Sequence, residues 1–328
     1  MLKRFIDSCA TTKIFDGVKK ILIAVSGGAD SLALAELLTN SRQRFNLEIS
    51  IAHFEHGLRG QTSIDDAAFV KNFAEERGLN FVGGQGDVKI FAAQQKISIE
   101  TAARILRYEF LSKVRRDLNC DAIALAHHAD DQAETILMRL LRGTTSTGLS
   151  AMKFRTRSDD YGLLIRPLLR FRKVELETFC RRRNLSPRLD VTNFESDATR
   201  NKIRLELIPT LEKFNPALVE TLCRLAEVTA EESDFIAAQA DKIFPQVVRD
   251  NSIVRAEFLK LHLALQRAVI KKFIAQVTGS AKDFGFVHFE GVRKVLLNGV
   301  AGVELPKNFR ADLRHGKLTI TKNFYRKG

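Results

Sequence analysis

The chain has 328 residues, of which 45% are hydrophobic and 28% are charged, and its formal net charge is +13. This composition is that of a globular protein and excludes wholesale disorder. No apolar run approaches the roughly 20 residues that a membrane helix needs, and the first residues show neither a long apolar core nor a small-residue cleavage site. We therefore expect a cytoplasmic protein of two or three domains, with no membrane association.

Cysteine usage excludes several kinds of site. The four cysteines are far apart in the sequence, and no two of them form a C-x-x-C pair. This spacing argues against a zinc ribbon, a redox dithiol and a sulfur-transfer cysteine pair. It also fits a reducing compartment such as the cytoplasm.

The first half of the sequence alternates between patterns typical of strands and of helices. The apolar, β-branched run at 21–25 predicts a buried parallel strand. Three more strands are predicted at 48–53, 81–84 and 122–126. Helices are predicted after the turn at 26–31, at 63–77 with Ser63 as N-cap, at 98–118 and at 130–141. This order predicts an α/β fold with a doubly wound parallel sheet, which binds ligands at the carboxyl ends of its strands.

The pattern changes after Gly143. A loop is expected first, and an edge strand is then expected at 163–169. One long helix with charges of both signs follows and has the character of a connector. This long helix is predicted at 216–243. Two further helices are predicted at 259–277 and 286–298, followed by a terminal hairpin that turns at His315-Gly316.

These elements predict three parts: a catalytic domain over 1–212, a helical connector over 213–245, and a small α+β domain over 246–328. The positive charge is unevenly distributed, because residues 1–152 carry a net charge of +1 and the rest of the chain carries +12. Such a field attracts a polyanion, and nucleic acid is the natural candidate. A solubilising surface is the alternative explanation of a basic composition.

A glycine-rich turn follows the first predicted strand. Its two adjacent glycines let the backbone approach a phosphate closely, and the helix that begins there offers unpaired N–H groups. Asp30 would repel a phosphate unless a divalent cation lay between them, so Asp30 is the candidate Mg²⁺ ligand. The alternative is a turn in which the polar residues only cap the helix. The predicted anion-binding residues are Ser26, Gly27, Gly28, Ala29, Asp30 and Ser31.

This turn resembles the PP-loop of the ATP pyrophosphatase superfamily, whose members split ATP into AMP and pyrophosphate. Further segments resemble the tRNA(Ile)-lysidine synthetase family within that superfamily, in the same order along nearly the whole chain. They are AHFEHGLRG (52–60), TAARILRYEF (101–110), ALAHHADDQAETILMRLLRG (124–143), RPLL (166–169) with the stretch 190–204, and the C-terminal hairpin.

The resemblance implies a ligase that uses ATP and Mg²⁺ to join free L-lysine to C2 of the wobble cytidine of tRNA(Ile) with a CAU anticodon. The implied route passes through an adenylated tRNA and yields lysidine, AMP and pyrophosphate. The alternatives are a PP-loop tRNA thiolase, an amidotransferase or small-molecule synthetase, and a non-enzymatic RNA-binding module. The sequence leaves open whether the protein is a monomer or a homodimer.

The predicted catalytic residues are Asp30, Arg107 and His127, and the resemblance favours Arg107 over Arg104. Arg104 and Arg107 share one helix face, and an arginine near the α-phosphate would stabilise the charge that develops during adenylation. The alternative for Arg107 is a salt bridge on its own helix. His53 is predicted to line the nucleotide pocket, with a purely structural histidine as the alternative.

Two carboxylates, Asp131 and Glu134, share a helix face and are predicted to bind the ammonium groups of lysine. A nearby carboxylate or His127 could take the proton that the attacking amine must lose. Helix capping is one alternative for this acidic cluster, and a structural zinc site is another.

Basic residues outside the loop are predicted to contact tRNA. For the arginine run at 181–183 the alternative is a solvated helix face. The predicted tRNA contacts are Arg59, Arg181, Arg182, Arg183, Arg200, Lys202 and Arg204.

Overall fold

In the computed structural model, the described part of the chain falls into two compact units. The division lies inside one long helix, between Glu227 and Val228. The predicted three-part division, with its connector at 213–245, remains a prediction. The described residues are 1–57, 61–188, 198–281 and 283–323. The units comprise Met1–Thr144 with Gly148–Glu227, and Thr145–Thr147 with Val228–Gly328.

A six-stranded sheet forms the centre of the first unit. Its strands are β1 (Lys20–Ala24), β2 (Glu48–Glu55), β3 (Asn80–Gln85), β4 (Ala122–Ala124), β5 (Arg155–Ser158) and β6 (Gly162–Ile165). Their order is β3-β2-β1-β4-β6-β5, and all neighbours are parallel except β5, which pairs antiparallel with β6. The carboxyl ends of the five parallel strands therefore lie along one edge.

Helices cover both faces of this sheet. Ile21 and Ile23 of β1 pack into the core on one face, and Leu22 packs into the core on the other, since successive strand residues point to opposite faces. The predicted doubly wound α/β fold is therefore confirmed. The helical segments up to the unit boundary are α1 (Leu2–Thr11), α2 (Ala29–Phe45), α3 (Gln61–Glu75), α4 (Val88–Gln95), α5 (Ile99–Asp117), α6 (Ala129–Leu141), α7 (Ser146–Leu149), α8 (Lys173–Arg182), α9 (Ala198–Lys202), the π-helical Ile203–Leu207, α10 (Ile208–Glu212) and α11 (Leu218–Val247).

Two sequence-based expectations were wrong in this unit. The strand predicted at 163–169 is not at the edge, because β5 covers it. Ser63 is not an N-cap, because α3 begins two residues earlier, at Gln61. Helix ends depend on capping contacts that periodicity does not define.

The second unit contains a five-stranded antiparallel sheet with helices packed against it. Its core gathers apolar residues from both, including Phe258, Phe273 and Ile320. His315 and Gly316 have positive φ values of 47° and 74° in the turn of the terminal hairpin, as the sequence predicted. The elements are β7 (Val248–Arg249), β8 (Ser252–Val254), α12 (Arg255–Phe258), α13 (Leu263–Thr278), α14 (Phe286–Asn298), β9 (Gly302–Leu305), β10 (Phe309–Arg314) and β11 (Lys317–Lys322), in the sheet order β7-β8-β11-β10-β9.

The helix predicted at 259–277 is shorter in the structure. It begins at Leu263, where the side chain of His262 caps it by accepting from the N–H of Ala264 at 3.3 Å. No helix among the described residues is long and apolar enough to cross a membrane.

Candidate active site at the carboxyl edge of the parallel sheet

The turn between β1 and α2 is held in shape by its own serines. Ser31 Oγ donates to the carbonyl of Gly28 at 2.9 Å and accepts from the N–H of Ser26 at 3.2 Å. Gly27 has φ +93°, which favours glycine because a side chain there would be strained. The N-cap of α2 is Gly28, which has no side chain to cap the first turn. The first N–H groups of α2 are therefore available to an anion.

His53 lies beside this turn, near the carboxyl end of β2. Its ring is 5% exposed, and Nδ1 donates to the carbonyl of Val25, the residue that precedes the turn, at 2.8 Å. Burial lowers the pKa of His53, so the ring is neutral and its tautomer is fixed by this hydrogen bond. The structure thus places His53 near the loop, and its contact with a nucleotide remains a prediction.

Asp30 occupies the first turn of α2 and faces His128. Asp30 Oδ2 lies 3.6 Å from His128 Nε2, and Oδ1 is buried with no hydrogen-bond partner among the described residues. Burial raises the pKa of the Asp30 carboxyl group, and the charge of Asp131 acts in the same direction. A carboxylate in this position is poorly solvated and would gain from a cation.

The donor set suits Mg²⁺ better than zinc. Among the described residues, no group of three or more histidine, cysteine, aspartate or glutamate side chains converges as a metal site, whereas structural zinc requires four protein ligands. Magnesium is typically held by one or two carboxylates together with substrate phosphates. The unpartnered oxygen of Asp30 at a phosphate-binding turn fits that arrangement.

His128 joins Asp30 to the start of α6. It is the N-cap of this helix, and its Nδ1 accepts from the N–H of Asp131 at 3.4 Å. The side chain of Asp131 in turn accepts from the N–H of His128 at 3.1 Å, which completes a capping box. Because Nδ1 accepts from a backbone N–H, Nε2 is the nitrogen that can donate, and it lies between the carboxylates of Asp30 and Asp131.

The two predicted lysine-binding carboxylates are already ion-paired inside the protein. Glu134 is 1% exposed and accepts from Nε of Arg200 at 2.6 Å and from Nε of Arg204 at 2.5 Å. Asp131 Oδ1 accepts from Arg200 Nη2 at 3.2 Å. The structure therefore brings together two residues predicted to bind lysine and two predicted to bind tRNA, and an incoming ammonium group would share these carboxylates with the arginines.

Electrostatics keep Asp131 ionised in this cluster. Burial by itself would raise its pKa, but the charge of Arg200 and the hydrogen bond from the backbone N–H of His128 act against burial, and the pKa of Asp131 is lowered. His127, the buried histidine that precedes the N-cap, is uncharged, because burial lowers its pKa and keeps its ring neutral. A neutral ring can accept a proton, but this low pKa makes His127 a weak base.

Four of the other residues predicted to contact tRNA lie at the ends of helices. Arg181, Arg182 and Arg183 are exposed at the end of α8, and Lys202 is exposed at the end of α9. Their contact with tRNA remains a prediction. Arg59 lies outside the described residues.

Sequence reasoning missed two arginine contacts that shape the site. The backbone N–H of Arg188 donates to the carbonyl of Gly27, at 3.0 Å, so the segment after α8 packs on the loop. Arg172 Nε donates to Asp130 Oδ1 at 3.0 Å, and the N–H of Lys173 donates to Asp130 Oδ2 at 2.7 Å. No local pattern signals these contacts, because the partners are far apart in the sequence.

All four cysteines are buried as free thiols. They belong to three different apolar clusters, and only Cys9 and Cys180 share one. Burial raises the pKa of Cys9 and Cys223 to about 12 and that of Cys180 to about 11. Sulfur transfer needs a thiolate, and this environment disfavours one.

Comparison with known proteins agrees with this geometry. The PP-loop domain family matches residues 2–211. The tRNA(Ile)-lysidine synthase of Clostridium perfringens is 36% identical over 296 residues, which cover 89% of this chain and 62% of that protein. The protein of the same name from Caldanaerobacter subterraneus subsp. tengcongensis is 32% identical over 328 residues, 98% of this chain and 69% of that protein. The chain belongs to the tRNA(Ile)-lysidine synthase family of PP-loop proteins.

The family recognised in the sequence motifs is thereby confirmed. The chain spans 62% of the length of the Clostridium perfringens member of the family. Among solved structures, the U34-tRNA thiolase NcsA from Methanococcus maripaludis, with its 4Fe-4S cluster, has a TM-score of 0.59. It is 20% identical, and the match covers 70% of this chain and 78% of that one. This likeness shows the shared fold of PP-loop proteins.

Proposed function

We propose that this chain is an ATP-dependent ligase that joins lysine to C2 of the wobble cytidine of tRNA(Ile) with a CAU anticodon. The observation that carries the proposal is the turn at Ser26–Ser31, with α2 uncapped and Asp30 Oδ1 unpartnered, in a chain whose relatives bear the name tRNA(Ile)-lysidine synthase. The turn suits a triphosphate, and the acidic cluster at α6 suits an amine.

In the first step, O2 of the cytidine attacks the α-phosphorus of ATP, an O–P bond forms, and pyrophosphate leaves. The N–H groups of the turn and the hydroxyl of Ser26 hold the phosphates, the hydroxyl of Ser31 keeps the turn in shape by donating to the carbonyl of Gly28, and Asp30 would hold Mg²⁺ against the phosphates. The ion would supply charge neutralisation at the leaving pyrophosphate. Arg107 stabilises the negative charge that develops at the α-phosphate.

In the second step, the ε-amino group of lysine attacks C2, a C–N bond forms, and the C2–O2 bond breaks as AMP leaves. Asp131 and Glu134 attract the ammonium groups of lysine and orient them. The attacking ammonium must first lose a proton, and Asp131 is ionised and can accept it, although its low pKa makes it a weak base. The neutral ring of His127 is the other acceptor beside the cluster.

The target base must leave the anticodon stack to reach the edge of the sheet. The net positive charge of the later part of the chain would hold the tRNA by its phosphates. Arg181, Arg182, Arg183 and Lys202 contribute exposed positive charge to the first unit.

A tRNA thiolase is the rival that shares this fold. Sulfur transfer would need a reactive cysteine near the turn, and Cys180 is the one closest in the fold. Its thiol is buried and donates to the carbonyl of Ala29 at 3.3 Å, and its raised pKa leaves it protonated. This favours the ligase over the thiolase.

Isotope exchange between pyrophosphate and ATP tests the first step. The ligase should catalyse exchange that requires tRNA but not lysine, and labelled lysine should then appear in acid-precipitable tRNA. Exchange that requires lysine and no tRNA would indicate a small-molecule synthetase and contradict the proposal.

A further inference from the structure

Among the residues that the structure describes, Arg166 is a buried cation with no carboxylate partner. It follows β6 directly and is 7% exposed. Its Nη1 donates to the carbonyl of Lys153 and to Thr156 Oγ1, both at 3.0 Å, while its buried Nε has no partner in the described part of the chain. Arg166 forms no ion pair with any carboxylate in the described part of the chain. Burying a charge without a counter-charge is costly, so such a cation points to an anion that is supplied from outside.

Two further arginines lie around the ring of Tyr108, which acts electrostatically on Arg166. Arg104 and Arg107, on one face of α5, stand 5.1 and 5.5 Å from the centre of the Tyr108 ring. Tyr108 is 3% exposed, and its hydroxyl group has no hydrogen-bond partner within the described ranges. Burial lowers the pKa of Arg166, and the positive charge of Arg104 lowers it further. The positive charges of these arginines thus lie close to polar atoms that have no hydrogen-bond partner among the described residues.

This cluster lies at the edge where a doubly wound sheet binds its ligands. Strands β4 and β6 are parallel neighbours, with Ala124 opposite Ile165, so Arg166 and His127 both follow the ends of these strands. His127 Nδ1 is also buried and has no hydrogen-bond partner among the residues that the structure describes. The charges of Arg166, Arg107 and Arg104 all act on the His127 ring. The site is therefore positive on its α5 and β6 sides, and the acidic residues of α6 lie on its other side.

We propose that Arg166, together with Arg104 and Arg107, forms a binding site for an anionic group of a substrate at the carboxyl ends of β4 and β6. The ligand chemistry is a phosphate or carboxylate oxygen, which a guanidinium binds with paired hydrogen bonds. The site is separate from the phosphate-binding turn, which follows β1. The proposal rests on the proposed function, which supplies two such groups: the α-phosphate of ATP and the carboxylate of lysine.

The hydrogen bonds of Arg166 explain why it can serve this purpose. Its Nη1 is fixed by two acceptors, whereas Nε and Nη2 donate to none of the described residues. The guanidinium is thus held in place with part of its donor capacity unused, which is the arrangement of a preorganised anion site. A purely structural arginine would be expected to use these donors on carbonyl groups.

The test compares Arg166→Gln with a matched control, Arg155→Gln. Arg155 is also an arginine of this sheet whose Nη1 donates to two acceptors, the carbonyls of Lys13 and Ile14. Equilibrium binding of AMP, lysine and 1,5-diaminopentane is measured by calorimetry for the wild type and both variants. The diamine has the two amines of lysine and lacks its carboxylate.

If the ligand is the lysine carboxylate, Arg166→Gln should weaken lysine binding roughly 10- to 100-fold and leave binding of the diamine unchanged. If the ligand is the α-phosphate, AMP binding should weaken by a similar factor and lysine binding should not change. In both cases Arg166→Lys should recover part of the loss, because it restores the charge. The control should change neither affinity.

Equal affinities of the wild type and Arg166→Gln for AMP and for lysine would overturn the proposal. So would an equal loss in Arg155→Gln, which would indicate a general effect on the sheet. Turnover is measured separately: a wild-type chain that transfers no lysine to tRNA contradicts the proposed function. A wild type that transfers lysine, with the Arg166 variant unaffected, contradicts the anion site alone.

Discussion

The two sheets of this protein differ in how far their charged side chains are buried. At the carboxyl edge of the parallel sheet, charged and polar groups such as Glu134, His128 and Arg166 are buried to 1%, 4% and 7% exposure. In the antiparallel sheet, Glu304 pairs with Arg310 while 62% of its side chain remains exposed. Burial makes charge interactions strong and specific but destabilising when incomplete, whereas exposed pairs contribute little. The first arrangement is typical of catalytic sites, and the second presents charge to solvent.

The largest effect on activity is expected at Asp30. Asp30→Asn keeps the shape of the side chain and removes its charge, so the cation that offsets the phosphates loses a ligand. We expect exchange between pyrophosphate and ATP to fall by more than roughly 1,000-fold, with tRNA affinity unchanged in a filter-binding assay. Retained exchange would contradict the assignment of the metal to Asp30.

The buried and exposed carboxylates can be compared directly. Glu134→Gln leaves Arg200 and Arg204 without their main partner and should lower the free energy of unfolding by about 3–5 kcal/mol. Glu304→Gln is the matched control in the exposed pair and should leave stability almost unchanged. Both are measured by urea denaturation.

The same glutamate also tests the lysine site. Glu134→Gln should raise the KM for lysine more than the KM for ATP, because the amine loses a carboxylate. Equal stability of the two glutamine variants would remove the distinction between the sheets, and a larger effect on ATP would refute the role in lysine binding.

His128 has two functions that two substitutions can separate. His128→Asn keeps a good N-cap for α6 but removes the donor that faces Asp30 and Asp131. It should therefore preserve the melting temperature and lower kcat about tenfold. His128→Gln places an amide N–H nearer to the carboxylates and caps the helix poorly, so it should lower the melting temperature more and kcat less. The reverse order would show that only the cap is important.

The smallest effect concerns pH. The pKa of His127 is lowered by burial. Below about pH 6.5 the histidine is therefore protonated in the unfolded chain but stays neutral in the folded protein. The contribution to stability is therefore present above the unfolded pKa and is lost as the pH falls below it. Between pH 7.5 and 5.5 this residue should account for a loss of about 1.4 kcal/mol. In His127→Asn the pH dependence of urea denaturation should become shallower by that amount, and an unchanged slope would mean that His127 is not buried as a neutral ring.

Local sequence patterns predicted the elements whose structure is determined by residues close together in the chain. The apolar runs of β1 and β4, the glycine turn and the amphipathic face of α5 could all be recognised in the sequence. Strand β5 could not, because its residues Arg155–Ser158 are polar and it is held at the edge by pairing with β6. Backbone pairing at an edge leaves no hydrophobic alternation to detect.

In the candidate site, too, only the contacts between residues close in sequence could be predicted. The sequence indicated that Glu134 and Asp131 share a helix face, but their arginine partners lie 66 to 70 residues further along the chain. Arg166 was noticed only as the first residue of the RPLL segment, and no role could be assigned to it, since its burial exists only in the folded sheet. Contacts at this separation depend on how helices and strands are arranged in space.

The most direct test is nucleoside analysis of tRNA after incubation with this protein, ATP, Mg²⁺ and labelled lysine. We expect tRNA(Ile) with the CAU anticodon to yield a cytidine that carries lysine at the wobble position, with AMP formed in equal amount. The methionine tRNA that shares this anticodon should remain unmodified. Unmodified cytidine in tRNA(Ile), under conditions in which the protein binds both ATP and the tRNA, would contradict the account.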